Sequence, residues 1–130
     1  MFKYIRTINT CSGNVETTNL PMPAAGSGPC SAGTICYLSG GRLSNMPSES
    51  GVKYLVLSRP NEKGEQTCLR IMSGMIIEAE TYFDISECNI GDGASFSFSD
   101  ANITDTVELG GTECEIIEKN ATGTVTVIVN

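Results

Sequence analysis

The sequence predicts an all-β protein: a small antiparallel β-barrel or sandwich built from two similar β-units, with an extended N-terminal arm. Three observations lead there. Short runs rich in Val, Ile and Thr are punctuated by 14 glycines in 130 residues, a composition of many turns and few helices. Aromatic content is 6% and Trp is absent, so the interior must come from Ile, Val, Leu, Met and Cys, which suits thin β layers. The pattern of residues 93–130 also has a fainter copy 60 positions earlier. Gly33 falls on Gly93, Cys36 on Phe96, Leu38 on Phe98, Leu43 on Ile103, Val56 on Ile116 and Leu57 on Ile117. One deletion later, Gly64 matches Gly123 and Leu69 matches Ile128. Few of these pairs are identities, so duplication and a mere similarity of strand lengths both account for the pattern.

The elements follow in order. Phe2–Ile8 reads as a short strand, after which Thr, Ser and Asn lead into Pro21-Met22-Pro23-Ala24-Ala25-Gly26. Such composition buries too little apolar surface to offset its own ordering entropy. Residues 1–27 are therefore expected to be either a frayed terminus or an arm that orders on a partner, and residues 28–130 a single β-domain. Thr34–Leu38 alternates as a strand and Ser39-Gly40-Gly41-Arg42 is a tight turn. Tyr54–Leu57, apolar on both faces, reads as a central strand, and Arg59–Gly64 as a hairpin loop returning into Thr67–Met72. Met75–Ala79 continues after a bend at Gly74, with extended structure expected through Ser86. Residues 93–98, 113–119 and 124–129 are the closing strands. Phe96, Phe98 and Ile103 alternate with Ser97, Ser99 and Thr104, which predicts one apolar and one wet face, as in an antiparallel sheet.

Composition narrows the chemistry. The formal charge is −7 and the 8 Lys and Arg are scattered, leaving no basic face to neutralise phosphates, so nucleic-acid binding is not expected. No apolar run reaches the ~20 residues of a membrane span, and no apolar segment follows the basic start as in a secretory signal; synthesis in the cytoplasm is the expectation. Histidine is absent, which removes the commonest general base and every Ser-His or Cys-His nucleophile. There is no Cys-x-x-Cys for zinc, Gly91-Asp92-Gly93 reads as a turn and not as a calcium loop, and Gly26-Ser27-Gly28 lacks the Lys-Ser/Thr of a phosphate cradle. The expectation is a non-enzymatic protein without cofactor or metal. The six cysteines alternate with bulky apolar residues in the shifted comparison, Cys114 opposite Tyr54 and Cys68 opposite Val127, as buried free thiols would. Disulfides and metal binding are the other readings of the same count.

The order of these segments resembles a known family. A Pro/Ala/Gly-rich arm runs into Ala32-Gly33-Thr34-Ile35-Cys36-Tyr37-Leu38-Ser39-Gly40-Gly41-Arg42-Leu43, then Tyr54-Leu55-Val56-Leu57, and ends with Gly110-Gly111-Thr112-Glu113-Cys114-Glu115-Ile116-Ile117 and a β-rich C-terminus. This is similar to the small head-decoration, or cement, proteins of tailed bacteriophages. The resemblance implies a non-enzymatic β-barrel-like domain, often trimeric. Such a domain sits on the outer capsid surface of the virion and clamps neighbouring subunits of the major capsid protein. It further implies that the arm orders against the capsid, with Tyr4, Ile8, Val15, Leu20, Pro21, Met22 and Pro23 as the contacting residues. The competing expectations are a disulfide-stabilised secreted β-type binding module and a fibre or tail component of the virion.

Overall fold

The computed structural model describes residues 1–8, 17–24, 26–46, 51–100 and 103–130. The chain is all-β, as expected. The strands are β1 (Phe2–Thr7), β2 (Thr18–Pro21), β3 (Ile35–Ser39), β4 (Arg42–Ser44), β5 (Lys53–Val56), β6 (Glu65–Arg70), β7 (Met75–Thr81), β8 (Gly93–Asp100), β9 (Ile103–Leu109), β10 (Cys114–Lys119) and β11 (Val125–Val129). One 3-10 turn spans Ile85–Glu87. Among the described residues no helix is long and apolar enough to cross a membrane. The strands form two compact units, one of residues 1–14 and 72–130, the other of residues 15–71. The boundary of these units at residues 14/15 and 71/72 differs from the expected one between an arm at 1–27 and a single domain at 28–130. The supposed arm supplies β1 to the first unit and β2 to the second. Both strands form on backbone pairing with most side chains left outside, which an apolar count does not register.

The first unit is a closed five-stranded barrel with one outer strand. Its order is β7-β11-β10-β8-β9, antiparallel throughout, until β9 returns to β7 in parallel. Glu80 and Thr81 face Thr106 and Val107, and Tyr82 N donates to Val107 O at 2.9 Å to seal the seam. Ile77, Ala79, Val107, Ile116, Val125 and Val127 fill the interior, all fully buried. β7 ends at Thr81 instead of continuing to Ser86, because Thr81 Oγ1 donates to Phe83 O at 2.6 Å and Asp84 Oδ1 accepts from Ser86 N at 3.0 Å, opening the 3-10 turn.

The faces of β8 also differ from the expected alternation. Ser97, Thr104 and Thr106 are buried, while Phe96 lies half-buried. Two contacts make this possible. The Ser97 and Thr106 hydroxyls hydrogen-bond each other at 2.8 Å, so these two buried oxygens are satisfied, whereas Thr104 Oγ1 is buried without a hydrogen-bond partner among the described residues. The outer strand β1 pairs with β7 and sets Phe2 edge-on against Phe96, with ring centroids 5.5 Å apart at 86°, a favourable aromatic geometry. Glycine is required nearby for a different reason: a Cβ at Gly93 would collide with the Gly111 carbonyl oxygen. Gly93→Ala is expected to cost at least about 2 kcal/mol of unfolding free energy, measured by urea denaturation.

The second unit repeats this topology. β2-β6-β5-β3-β4 stand in the order of β7-β11-β10-β8-β9, and the loops match bond for bond. In Cys30-Ser31-Ala32-Gly33-Thr34, Thr34 N donates to Ser31 O at 3.3 Å, Gly33 N to Val56 O at 2.8 Å, and Val56 N to Thr34 O at 3.0 Å. In Cys88-Asn89-Ile90-Gly91-Asp92, Asp92 N donates to Asn89 O at 3.1 Å, Gly91 N to Ile116 O at 2.8 Å, and Ile116 N to Asp92 O at 2.9 Å. Both turn glycines have positive φ, 85° and 98°, which a side chain disfavours. The Asn61–Gly64 turn likewise repeats as Asn120–Gly123. The pairs Val56/Ile116, Leu69/Ile128, Cys68/Val127 and Gly64/Gly123 are thus equivalent by register. These sequence matches are corrected: Gly33 corresponds to Gly91, Cys36 to Ala94, Leu38 to Phe96 and Leu43 to Val107. The β8–β9 hairpin runs further than β3–β4, so one fixed spacing cannot align both.

Two departures distinguish the second unit. Pro23 occupies the place of Tyr82 and has no N–H to give, so among the described residues β2 and β4 are not joined by a strand pairing. A side-chain bond links β4 to the residue after β2, Arg42 Nη1 to Met22 O at 3.1 Å. The position of Val125 is taken by Gln66, fully buried. Its Nε2 donates to Cys30 O at 2.7 Å and Ser58 O at 3.0 Å, and its Oε1 accepts from Cys30 N at 3.1 Å.

Candidate functional site

The unsealed seam of the second unit opens into a cleft of about 490 Å³. Pro21, Met22 and Pro23 form one wall, Arg42 rises from the start of β4, and Lys63, Gly64 and Glu65 close the other side from the β5–β6 turn. Each wall has a local cause. Met22 N donates to Gly64 O at 2.9 Å, carrying β2 past its last paired residue. Asn61 Oδ1 accepts from Lys63 N at 2.9 Å and Glu65 N at 3.0 Å, an Asx-type turn that fixes the loop. Arg42 and Lys63 are exposed and in no ion pair among the described residues. The cleft offers an apolar wall, a guanidinium and an ammonium, with Glu65 half-buried between them.

Of the seven residues expected to contact a partner, Pro21, Met22 and Pro23 line this cleft. Leu20 instead turns inward against a core cluster of Cys30, Cys36, Leu43, Val56 and Cys68. Tyr4 lies in β1 opposite Ile77, its hydroxyl 2.8 Å from Thr7 Oγ1. Ile8 N donates to Gly74 O at 2.9 Å and its side chain is exposed. Val15 lies outside the described residues. Sequence reading missed Arg42, Lys63 and Glu65, which signalled only as turn residues.

The second chemical feature is the thiols. Cys30, Cys36, Cys68, Cys88 and Cys114 are free and buried. Burial pushes Cys68 up to about 12, with the neighbouring Cys36 adding to it. Burial, then Glu113, does the same to Cys114, also to about 12. These two behave as small hydrophobes. Cys30 and Cys36 differ, because their side chains act on each other: that interaction raises Cys30 and, with a hydrogen bond from Thr34, lowers Cys36 against its burial. Among the described residues no group of three or more His, Cys, Asp or Glu side chains is arranged to hold a metal ion. No protein-family model, curated protein or solved structure matches the chain.

Proposed function

We propose that this chain is a non-enzymatic head-decoration protein of a tailed bacteriophage, binding the outer surface of the assembled head and clamping neighbouring major capsid subunits, with a homotrimer as the working form. The observation that carries the reading is the use each unit makes of its side chains. Aliphatic groups, thiols and mutually bonded hydroxyls fill the interiors, and what is left for a partner is edge and surface. β1 pairs with β7 alone among the described strands and exposes Lys3, Ile5 and Arg6, so its outer edge can accept backbone bonds from another chain. The 490 Å³ cleft gives an apolar socket with two cations. A modest contact of this kind becomes firm when repeated over a symmetric lattice. The mechanism differs from an arm that orders on binding, since β1 and β2 are already strands.

Co-sedimentation with purified, expanded phage heads tests this. The chain is expected to pellet with heads at a fixed ratio to the major capsid protein, and to stay in solution with isolated tails. Met22→Glu, which places a carboxylate on the cleft wall, should weaken head binding about tenfold or more without changing the circular dichroism spectrum. A chain left in the supernatant at saturating head concentration would remove the decoration reading.

A further inference from the structure

We infer that Cys30 and Cys36 form a specific oxidation site, closing to an intrachain disulfide when the protein meets a peroxide. The inference is independent of the capsid reading. The turn at Gly33 folds the chain back, with Thr34 N bonded to Ser31 O, and lays Cys30 against β3, where Cys36 sits. The two residues belong to one packed cluster, and Gln66 pins Cys30 there through both its N–H and its carbonyl. Cys36 Sγ lies 3.7 Å from Thr34 Oγ1 and 3.4 Å from Asn45 Oδ1, polar company that Cys68 and Cys114, each bonded to a single backbone carbonyl, do not have. The lowered pKa of Cys36 makes it the attacking sulfur. Both thiols are buried, and the turn beside Cys30 exposes Ser31 and Ala32.

The chemistry balances with hydrogen peroxide as oxidant. The Cys36 sulfur attacks one peroxide oxygen, the O–O bond breaks, and the departing hydroxide takes the Cys36 proton to leave as water. Cys36 is then a sulfenic acid. The Cys30 sulfur attacks it, the S–S bond forms, the S–O bond breaks, and hydroxide leaves with the Cys30 proton as a second water. Two thiols lose two electrons and the peroxide gains them.

The duplication supplies an internal control. Cys88 occupies the position of Cys30 in the first unit, but Ala94 occupies that of Cys36. Cys88 has no equivalent partner and its Sγ donates to Ile85 O at 3.2 Å.

The test treats the full chain with dilute hydrogen peroxide, then counts thiols in denaturant and maps alkylated peptides by mass spectrometry. The count is expected to fall by two from the six present, with loss of two hydrogens across the Cys30 and Cys36 peptides and full recovery on dithiothreitol. Cys88 stays alkylated. Cys36→Ala, which copies the first unit, should fold and lose no thiol pair. An unchanged count overturns the inference. So does a cross-link through Cys11, Cys68, Cys88 or Cys114, or a thiol loss that dithiothreitol does not reverse.

Discussion

Val127→Asp is expected to unfold the barrel formed by residues 72–130. Val127 is fully buried in β11, opposite Ile116 on one side and Ile77 on the other, and no cation lies among those neighbours. An unpaired carboxylate there costs at least about 4 kcal/mol, close to the lower end of the ~5–15 kcal/mol that holds a domain of this size together. The loss of β structure is read by far-ultraviolet circular dichroism and by the thermal melt. The pH dependence has a definite sign. Burial raises the pKa of the introduced carboxyl in the folded state above its unfolded value, so the native state takes up the proton first. The variant therefore regains stability as pH falls through the folded-state pKa and loses it as pH rises. A variant that melts like the parent would place Val127 outside the core.

Gln66→Ala is expected to lower the unfolding free energy by about 3–5 kcal/mol, combining two stripped buried backbone groups at about 1–3 kcal/mol each with the cavity left behind. The stripped groups are the N–H and C=O of Cys30. Gln66→Val, the residue type at the equivalent position of the other unit, fares no better, because the Cys30 groups remain without partners. Urea denaturation measures both. A loss under about 1 kcal/mol would mean that the turn carrying Cys30 re-satisfies itself without the amide.

Much of the fold was legible because it depends on local rules. Glycine runs and Asn/Asp turns mark where the chain reverses, and Val/Ile/Thr runs mark what lies between. Cys68 and Cys114 stand opposite Val127 and Tyr54 and are buried as that alternation requires, whereas Cys36 is buried although its counterpart is Ala94. β2 was not legible, since Thr18-Asn19-Leu20-Pro21 has little apolar alternation and owes its strand to pairing with β6. The wet face assigned to Ser97 was wrong because a distant strand, β1, brings Phe2 over Phe96. The cleft was half legible. Its proline wall was singled out, but Arg42 and Lys63 come from two other segments that only folding brings beside it.

The amino-acid sequence by itself determined an all-β chain in two similar halves, its turn positions, its acidity and its buried thiols, because each follows from the residue at a position and its near neighbours. The tertiary structure alone decided that Thr18–Pro21 became a strand, which glycine matches which, and that one barrel closes while the other stays open. Closure depends on whether two residues far apart in the chain can share one hydrogen bond: Tyr82 has the N–H to give to Val107, and Pro23, standing in the same place, does not.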